Sequence, residues 1–315
     1  MKVVIIGPGA LGCLLAASLT IKLGQSSKIT PAHELWLLDY KPERAQHLCE
    51  QGLILEENNR KKPCTIKATA DPNEIGPADI IILCVKSLQV AAGLQLAAKL
   101  VQPYTLLVAM QNGIGHLELL KDQQKLPSIV LGVTAQGAHM VAPGHVLHAG
   151  DGLTRIGFLN SASFTQSLLL AKVCNMLNYG GIETVIVDNI LDYVWSKLII
   201  NVGINALSAI QRCPNGKLLE SAETQEKLTA AVGEGETVAR ALNIELIGDP
   251  LAMTIDVCRK TAQNLSSMLQ DVNNKRPTEI DSINGAIIAA GRKLGIPTPV
   301  NDELVQNVKE IEQTY

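Results

Sequence analysis

Residues 195–205, which read WSKLIINVGIN, place one lysine and two asparagines in an otherwise apolar run. Lys197, Asn201 and Asn205 are four residues apart, so on a helix they form one polar line. Burying an ammonium and two amides beside aliphatic side chains is costly unless each group finds a partner. The spacing therefore predicts a polar helix face that either lines a cleft or is satisfied within the core. Apolar surroundings also lower the pKa of a lysine, which suits a proton donor near neutral pH.

A second group of residues has the spacing of a dinucleotide-binding turn. Three glycines fit G-x-G-x-x-G directly after a β-branched run and before a helical pattern. The first glycine allows the tight turn, the second lets a pyrophosphate approach the backbone, and the third allows close helix–sheet packing. Free N–H groups at the start of the helix then face the phosphates. The expected cofactor contacts of this turn are Gly7, Pro8, Gly9, Ala10, Leu11 and Gly12.

The end of the second predicted strand, which should meet the adenosine ribose, leaves the cofactor open. Asp39 could accept hydrogen bonds from a ribose 2′-hydroxyl and repel a 2′-phosphate, which favours NADH. Lys41 and Arg44 could instead hold a 2′-phosphate, which favours NADPH. Asp39 also lies farther from Gly12 than the usual ~20 residues. We expect the polar stretch 24–33 to form a longer loop that accounts for the difference.

Two later strands are predicted to end in polar residues. Lys86 follows the buried run 80–85, and Asn112 follows the run 106–109. Ligands of open α/β sheets bind outside the carboxyl ends of the strands, so both residues face the nicotinamide side. For either residue alone a plainer reading has equal weight. Lys86 could extend its ammonium into solvent, and Asn112-Gly113 could be merely a turn.

The two halves of the chain have different patterns. Strand-like and helix-like runs alternate in the first half, which predicts a parallel sheet with right-handed crossovers. The predicted strands are 3–6, 35–38, 80–85, 106–109, 129–133 and 183–187, and the predicted helices are 11–23, 42–51, 90–101 and 166–177. Turn residues at 149–152 predict a hairpin-like addition over 145–159. Later elements are all predicted helices: 192–210, 222–242, 250–268, 278–294 and 301–313. We predict an α/β dinucleotide-binding domain of residues 1–188 and an all-helical domain of residues 189–315.

Composition narrows the class of protein. The 315 residues are 47% hydrophobic and 3% aromatic, with a net charge of -3, which disfavours a nucleic-acid partner. The seven scattered cysteines and the histidines lack metal-ligand spacing, and four histidines (His116, His139, His145 and His148) fall in loop-like contexts. The run 198–210 is too short and too polar to span a membrane. We expect a cytoplasmic monomer or homodimer with a small-molecule substrate and no metal.

Together these residues resemble the ketopantoate reductase (2-dehydropantoate 2-reductase) family. The resemblance rests on the glycine turn, the strand ends VKS and QNG, and the stretch WSKLIINVGIN. Three later stretches agree, namely NGKLL at 215–219, SSMLQD at 266–271 followed by TEIDSING at 278–285, and GIPTPVN at 295–301. The resemblance spans residues 1 to 312, and SSM followed by TEID-x-ING is its most specific part.

The resemblance implies a Rossmann-type dinucleotide-binding domain followed by an all-α domain like the C-terminal domain of 6-phosphogluconate dehydrogenase, with the active site between them. It implies reduction of 2-dehydropantoate to (R)-pantoate with NADPH, in pantothenate and coenzyme A biosynthesis. Carried over by position, Lys197 is the catalytic lysine and Glu279 holds the substrate hydroxyl. The other carried-over residues are Asn112, Asn201, Asn205 and Ser267 for the substrate, and Lys86 with Asn112 for the cofactor.

The second strand end departs from the family pattern. Many members have an arginine where Tyr40 stands, and Asp39 is unusual beside NADPH. These two residues and Lys41 are therefore cofactor contacts whose preference, NADPH or NADH, stays open. Taken alone, Glu279 is more simply a helix-capping residue and Ser267 a surface hydroxyl. Two other functions stay open: a reductase of the same build for another 2-keto acid, and a non-catalytic dinucleotide-binding protein.

Overall fold

The computed structural model describes residues 1–25, 34–121 and 128–315. The chain divides into two compact units. The first unit comprises Met1–Gln111 and Leu119–Ile190, and the second comprises Asn112–Glu118 and Leu191–Tyr315. The loop expected over 24–33 lies almost wholly outside the described residues.

The strands of the described chain all belong to the first unit. In chain order they are β1 (Lys2–Ile6), β2 (Glu34–Leu38), β3 (Leu53–Glu57), β4 (Arg60–Cys64), β5 (Lys67–Thr69), β6 (Ile80–Leu83), β7 (Leu106–Ala109), β8 (Ile129–Thr134), β9 (Gly137–Ala142), β10 (His145–Gly150), β11 (Thr154–Phe158) and β12 (Thr184–Ile186). They form an eight-stranded sheet of order β12-β11-β8-β7-β6-β1-β2-β5 and a four-stranded sheet of order β4-β3-β10-β9.

The helices occur in both units. In chain order they are α1 (Ala10–Gln25), α2 (Pro42–Gln51), α3 (Pro72–Ile75), α4 (Val90–Ala97), α5 (Leu117–Lys121), α6 (Phe164–Tyr179), α7 (Ile190–Gln211), α8 (Ala222–Ala241), α9 (Pro250–Lys260), α10 (Ser267–Asn273), α11 (Asn284–Leu294) and α12 (Pro299–Glu312). The predicted fold class, an α/β unit followed by a helical one, is confirmed.

The large sheet is parallel from β5 to β8, as its sequence pattern predicts. Its central strands β6 and β7 are continuous aliphatic runs that are buried along their whole length. Such runs are typical of parallel strands with both faces covered. At the far side β11 pairs antiparallel with β8, and β12 pairs parallel with β11.

The predicted hairpin over 145–159 is wrong. Strand β10 pairs with β9 and β3 in the small sheet, whereas β11 pairs with β8 in the large one. Apolar alternation identifies a strand and its buried face, but it does not name the partner strand. Strands β3, β4, β5 and β9 were not predicted from the sequence. The turn between β3 and β4 did carry a signal, because Asn58 and Asn59 both have positive φ, a conformation that asparagine tolerates.

Three histidines predicted in loops lie instead on strands of the small sheet: His139, His145 and His148. His148 Nδ1 lies 3.2 Å from a Glu57 carboxylate oxygen, and its Nε2 lies 2.6 Å from Gln136 Oε1. Gln136 uses its amide nitrogen to donate to the Gly152 carbonyl, so its oxygen faces the histidine. His148 therefore ties β10 to β3 and to the residue before β9.

Helix α7 runs through the core of the second unit. It buries Trp195, Leu198 and Ile199 against neighbouring helices. A β-carbon at Gly203 would lie 2.7 Å from the Val232 side chain on α8 and 2.9 Å from a methyl group on α9. The glycine in WSKLIINVGIN therefore allows two helices to approach α7 closely.

Helix α7 is also longer than the predicted 192–210. At 22 residues it is the one helix within the described ranges whose length and apolar composition would suffice to cross a membrane. It carries Asp192 and Lys197, and 72% of its most apolar 18-residue window is buried inside the protein. Those properties are typical of a core helix, which is apolar because it packs against other helices.

The predicted helix over 250–268 is interrupted. α9 ends at Lys260, and α10 begins only after Ser266. The Ser266 hydroxyl accepts the Leu269 N–H at 3.1 Å and receives a 2.5 Å hydrogen bond from Ser208 on α7. The apolar periodicity of residues 250–268 does not reveal this break, because the contact between Ser266 and Ser208 that accompanies it is distant in sequence.

The predicted helix over 278–294 is likewise divided. A short 3₁₀ turn, Ile280–Ser282, comes first, and α11 starts at Asn284. Between them Ile283 has φ -106° and ψ -89°, which no helix allows. Glu279 consequently precedes a tight turn and not a long helix.

A buried amide network connects four helices of the second unit. Asn284 and Asn301 are fully buried, and Asn284 donates to Asn301 Oδ1 at 2.9 Å and to the Val202 carbonyl at 3.3 Å. Asn301 in turn donates to Glu234 at 2.7 Å. The Glu234 carboxylate also accepts the backbone N–H groups of Val300 and Asn301. A side chain of α8 thus caps the start of α12.

Asn301→Ala should lower the free energy of unfolding by about 2–3 kcal/mol, because it leaves buried polar partners without hydrogen bonds. Urea-induced unfolding of the full chain measures the change. Gln306→Ala, at an exposed position of the same helix, is the matched control and should change stability little. Equal effects of the two substitutions would contradict the structural role of the network.

Candidate active site

The glycine turn lies where β1 ends and α1 begins. Gly7 has φ +100°, and a β-carbon there would lie 2.9 Å from the Val85 backbone nitrogen. A β-carbon at Gly12 would lie 2.1 Å from the Gly7 carbonyl oxygen. Gly9 is exposed, and the nearest atom to its missing β-carbon, the Cys84 oxygen, is 4.0 Å away. The fold itself needs the first and third glycines, whereas the second keeps the surface of the turn open.

The start of α1 suits an anion. The helix begins at Ala10, and the first turn, ALGC, contains no acidic residue. The first N–H groups of a helix have no intrahelical acceptor and carry partial positive charge. Together with the open backbone at Gly9, they form a cradle that fits the pyrophosphate of a dinucleotide.

A mainly apolar pocket of about 120 Å³ adjoins the glycine turn. Gln89 donates a 3.1 Å hydrogen bond to the Tyr40 hydroxyl at this pocket. The walls come from the ends of β1 and β2, from the segment after β6 and from α4: Ile6, Gly7, Leu38, Tyr40, Val85, Gln89, Ala92, Gly93 and Leu96. Apolar walls with a few polar groups suit a flat aromatic ring. The α4 residues of this pocket were not predicted from the sequence, although the small pair Ala92-Gly93 could have indicated a close approach to this helix.

Asp39, Lys41 and Arg44 form one electrostatic group in the first unit. Asp39 is 2% exposed, and both of its oxygens accept from the Arg44 guanidinium, one of them from Nη2 at 2.6 Å. The Lys41 backbone N–H adds a 3.3 Å hydrogen bond to the carboxylate. Hydrogen bonding to Asp39 is the chief cause that raises the pKa of Arg44. The acid and the arginine, which favour different cofactors when read from the sequence, are partners in one ion pair.

Lys86 is half-buried and lies three residues beyond the end of β6. The 3₁₀ turn Ser87–Gln89 begins immediately after it. Gln111 stabilises the segment between β6 and Lys86. Its side-chain amide donates to the carbonyls of Leu83 and Val85 at 2.7 and 3.2 Å. Lys86 therefore lies at the carboxyl ends of the parallel strands, as predicted from the sequence.

Lys197 is the centre of the polar group in the second unit. Its ammonium donates to Asn112 Oδ1 at 2.8 Å. Burial lowers the pKa of Lys197 to about 8, and the nearby Glu279 carboxylate offsets part of that shift. The structure therefore places a neutral acceptor and a carboxylate near one cation. Asn112 precedes Lys197 by 85 residues, and Glu279 follows it by 82 residues.

The position of Asn112 depends on the glycine that follows it. Gly113 has φ +78°, and a β-carbon there would lie 2.2 Å from the Ser282 carbonyl oxygen. The Ile114 N–H donates to that same oxygen at 3.3 Å, and Ile114 packs against the helical core. The turn therefore seats Asn112 on the second unit, next to Lys197. The stretch QNG at 111–113 therefore forms a turn, and this turn places the Asn112 side chain beside Lys197.

The other predicted substrate residues lie farther along α7 and at the start of α10. Asn201 is half-buried and lies one helical turn beyond Lys197. Asn205 is 5% exposed and lies one turn beyond Asn201. Ser267 is exposed at the first position of α10. Its neighbour Ser266 contacts Ser208 on α7. The predicted polar line of α7 thus lies on a continuous helix, and Ser267 stands on a separate element.

His116 lies in the same segment as Asn112 and was given no role from the sequence. It is 3% exposed, and burial lowers its pKa to about 4. Its Nδ1 atom has no hydrogen-bond partner among the residues that the structure describes. The ring is therefore neutral at ordinary pH.

Asn112→Asp should raise the pKa of Lys197 from about 8 toward its ordinary value of 10.5. The substitution places an anion 2.8 Å from the ammonium and so favours the charged form. Titration of the lysine side-chain signals by NMR measures the shift, with Lys197→Ala assigning the resonance. Asn273→Asp, at the exposed end of α10, should leave it in place. An unshifted Lys197 in Asn112→Asp would show that the two side chains do not interact in solution.

Sequence models of two domains match the chain. The domain described as "Ketopantoate reductase PanE/ApbA" matches residues 3–161, and "Ketopantoate reductase PanE/ApbA C terminal" matches residues 189–312. The chain is 31% identical to the 2-dehydropantoate 2-reductase of Halobacterium salinarum, over 98% of each sequence.

Solved structures agree with this assignment. A PanE/ApbA family ketopantoate reductase from Ralstonia eutropha JMP134 superposes with a TM-score of 0.87 at 29% identity, covering 100% of this chain and 99% of that one. A D-mandelate dehydrogenase with NADH and anilino(oxo)acetate gives 0.86 at 28% identity, with the same coverage. The resemblance found in the sequence is confirmed, and the chain belongs to the ketopantoate reductase PanE/ApbA family.

Proposed function

We propose that the protein is an NADPH-dependent 2-dehydropantoate 2-reductase that produces (R)-pantoate. The observation that carries the proposal is the arrangement around Lys197, a cation of lowered pKa held by Asn112 beside Glu279. Reduction of a 2-keto acid needs a hydride donor, a proton donor for the carbonyl oxygen, and groups that hold the carboxylate. The chain offers a residue for each task except the hydride.

The first unit holds the cofactor in this proposal. A bound nicotinamide dinucleotide supplies the hydride that reaches C2 of the keto acid. The turn from Gly7 to Gly12 binds its pyrophosphate through backbone N–H groups. The apolar pocket beside Tyr40 receives the adenine, and Lys86 stands on the nicotinamide side.

Lys197 is the proton donor in this mechanism. An ammonium has three N–H donors, and one of them is directed at Asn112. Another donates to the substrate carbonyl oxygen, stabilises the negative charge that develops there, and transfers its proton to form the hydroxyl. The neutral amine then regains a proton from water. A pKa of about 8 keeps the group protonated at neutral pH and still acidic enough to give its proton up.

Neutral polar groups hold the substrate carboxylate. Asn201, Asn205 and Ser267 can donate hydrogen bonds to it without adding a charge that would raise or lower the pKa of Lys197. Glu279 accepts when ionised, so it suits the 4-hydroxyl of 2-dehydropantoate. The two charged residues therefore serve opposite ends of the reacting molecule.

The cysteines suit an enzyme of the cytoplasm. All seven lie in the described ranges and are free thiols, as expected in a reducing compartment. We extend the proposal accordingly to a cytoplasmic enzyme of pantothenate and coenzyme A biosynthesis that acts as a monomer or homodimer.

A second candidate function is reduction of an aromatic 2-keto acid with NADH. The similarity to D-mandelate dehydrogenase, at nearly the same TM-score as the ketopantoate reductase, favours it. Steady-state rates with 2-dehydropantoate and with phenylglyoxylate, each with NADPH and NADH, separate the two. A kcat/KM that is highest for phenylglyoxylate with NADH would replace our proposal by this one.

Lys197→Ala should lower kcat for reduction by about 10²–10⁴-fold, the usual contribution of a positioned acid. In the unsubstituted enzyme, kcat for reduction should fall as the pH rises through about 8, because the amine loses its proton there. Oxidation of pantoate needs the neutral amine and should rise over the same range. Initial rates between pH 6 and 10 in both directions measure these profiles.

The Lys197→Ala variant is the control for this pH profile. The residual activity of Lys197→Ala should show no break near pH 8, because the titrating group is gone. A break that persists in the variant would assign it to another group, and near-normal turnover would remove Lys197 from the role of acid.

Glu279→Ala should raise KM for 2-dehydropantoate and leave a 2-keto acid without a 4-hydroxyl nearly unaffected, because only the former loses a hydrogen bond. The expected difference in kcat/KM between the two substrates is about 10–100-fold, the value of a hydrogen bond to a charged group. 2-Ketoisovalerate serves as the substrate lacking the hydroxyl. Equal losses with both substrates would show that Glu279 acts through Lys197 or the fold and not on the substrate hydroxyl.

A further inference from the structure

We propose that Arg44 binds the 2′-phosphate of NADPH and that Asp39 is the positioning residue that holds Arg44 in place. This inference rests on the proposed function in taking NADPH as the cofactor. It concerns only the first unit and does not depend on which keto acid is reduced. It replaces the reading in which Asp39 itself meets the ribose.

The Asp39 carboxylate is not available to a ribose. An acid that selects NADH must accept hydrogen bonds from the ribose hydroxyls, yet Asp39 is only 2% exposed. Both of its oxygens already accept from Arg44, and one also accepts the Lys41 N–H. Its negative charge is paired with the guanidinium, and a phosphate bound at the opposite edge of Arg44 lies nearer to the guanidinium than to this carboxylate.

Arg44 keeps donors for a ligand. A guanidinium has five N–H groups in a planar fork. Two of them, on Nε and Nη2, are directed at Asp39, which leaves three N–H groups on the other edges of the plane. The side chain is 36% exposed, so these donors can meet solvent or a ligand. A planar edge with two nitrogens matches two phosphate oxygens.

The surroundings of Arg44 lead to the adenine pocket. The guanidinium carbon lies 5.6 Å from the centre of the Tyr40 ring, and the Lys41 ammonium lies 5.7 Å from the same centre. Tyr40 is also a wall of the pocket that we assign to adenine. Two cations therefore flank the aromatic residue at the edge of that pocket.

The start of α2 adds a further attraction for an anion. α2 begins at Pro42, and in the described structure its N-cap residue Lys41 makes no side-chain cap hydrogen bond. The partial positive charge of this helix end adds to the two cations. Glu43, which opposes them, is exposed, so solvent screens its charge more than the charges of the Asp39–Arg44 pair.

The test is calorimetric binding of NADP⁺ and NAD⁺ to the full chain, with 2′,5′-ADP and ADP as probes that lack the nicotinamide. Arg44→Gln should weaken NADP⁺ and 2′,5′-ADP by about 10–100-fold, the value of a charge-assisted bidentate contact. NAD⁺ and ADP should change less than about threefold by the same reasoning. Lys67→Gln removes an exposed cation elsewhere in the first unit. It should leave the affinities for all four ligands unchanged.

Asp39→Asn separates the two readings of the acid. If Asp39 positions Arg44, Asp39→Asn lowers the affinity for NADP⁺ severalfold and leaves the affinity for NAD⁺ unchanged. If Asp39 binds the ribose, Asp39→Asn lowers the affinity for NAD⁺ instead, which would overturn the proposal. Equal weakening of NADP⁺ and NAD⁺ in Arg44→Gln would also overturn it, because that result shows a structural role only.

Arg44→Gln leaves a buried carboxylate without its partner, which can unfold the domain. The double variant Asp39→Asn with Arg44→Gln removes both charges and avoids that penalty. It should retain NAD⁺ binding and lose the preference for NADP⁺. Unchanged NADP⁺ affinity in the double variant would refute the assignment of Arg44. A protein that passes these binding tests but does not reduce 2-dehydropantoate would refute the proposed reaction alone.

Discussion

The hydrogen bond between Lys197 and Asn112 is the interaction on which the second unit's chemistry depends. An ammonium enclosed by aliphatic side chains loses hydration, and a close acceptor must offset that loss. Asn112 provides the acceptor from a segment that follows a strand of the first unit and yet packs with the helices. The backbone of that segment must approach Ser282 so closely that only glycine fits at position 113. One polar contact thus accounts for the lysine, the asparagine and the glycine together.

The cations Lys197 and Arg44 are stabilised in different ways, and the difference matches their proposed roles. Lys197 has a neutral amide as its hydrogen-bond partner, so burial remains the larger effect and its pKa falls to about 8. Arg44 has a carboxylate as its partner, and its pKa rises. A group that must release a proton benefits from the first arrangement. A group that must stay charged to hold a phosphate benefits from the second.

How much of this could be predicted from the sequence depended on how local each feature is. The polar line of α7 and the glycine turn follow from spacings of a few residues, and both lie where the patterns placed them. The break after Lys260 and the pairing of β10 could not be predicted, because contacts distant in sequence determine them. The Asp39–Arg44 pair is local, but side-chain direction at the start of a helix decides whether the two residues meet. Read as separate letters, they favoured different cofactors.

Several residues of the stretches that resemble the family are structural. Asn284 and Asn301, from the ING and TP-x-N stretches, are fully buried and bind each other. Asn215, from NGKLL, bonds to the connection between α9 and α10 through its backbone and its side chain. These residues maintain the helix arrangement that carries Lys197 and Glu279, and any reductase of this build needs that arrangement whatever its substrate.

Substrate choice must therefore be argued from the few groups that touch the substrate. In the proposed mechanism Glu279 accepts a hydrogen bond from the substrate hydroxyl, and a site built for such a contact discriminates strongly against a molecule that lacks the hydroxyl. Apolar contacts discriminate far less, since a missing methylene costs only about 1–3 kcal/mol. 2-Dehydropantoate has that hydroxyl, and the keto acid of mandelate lacks it. The carboxylate beside the lysine is for this reason a stronger argument for the hydroxylated substrate than the family signature as a whole.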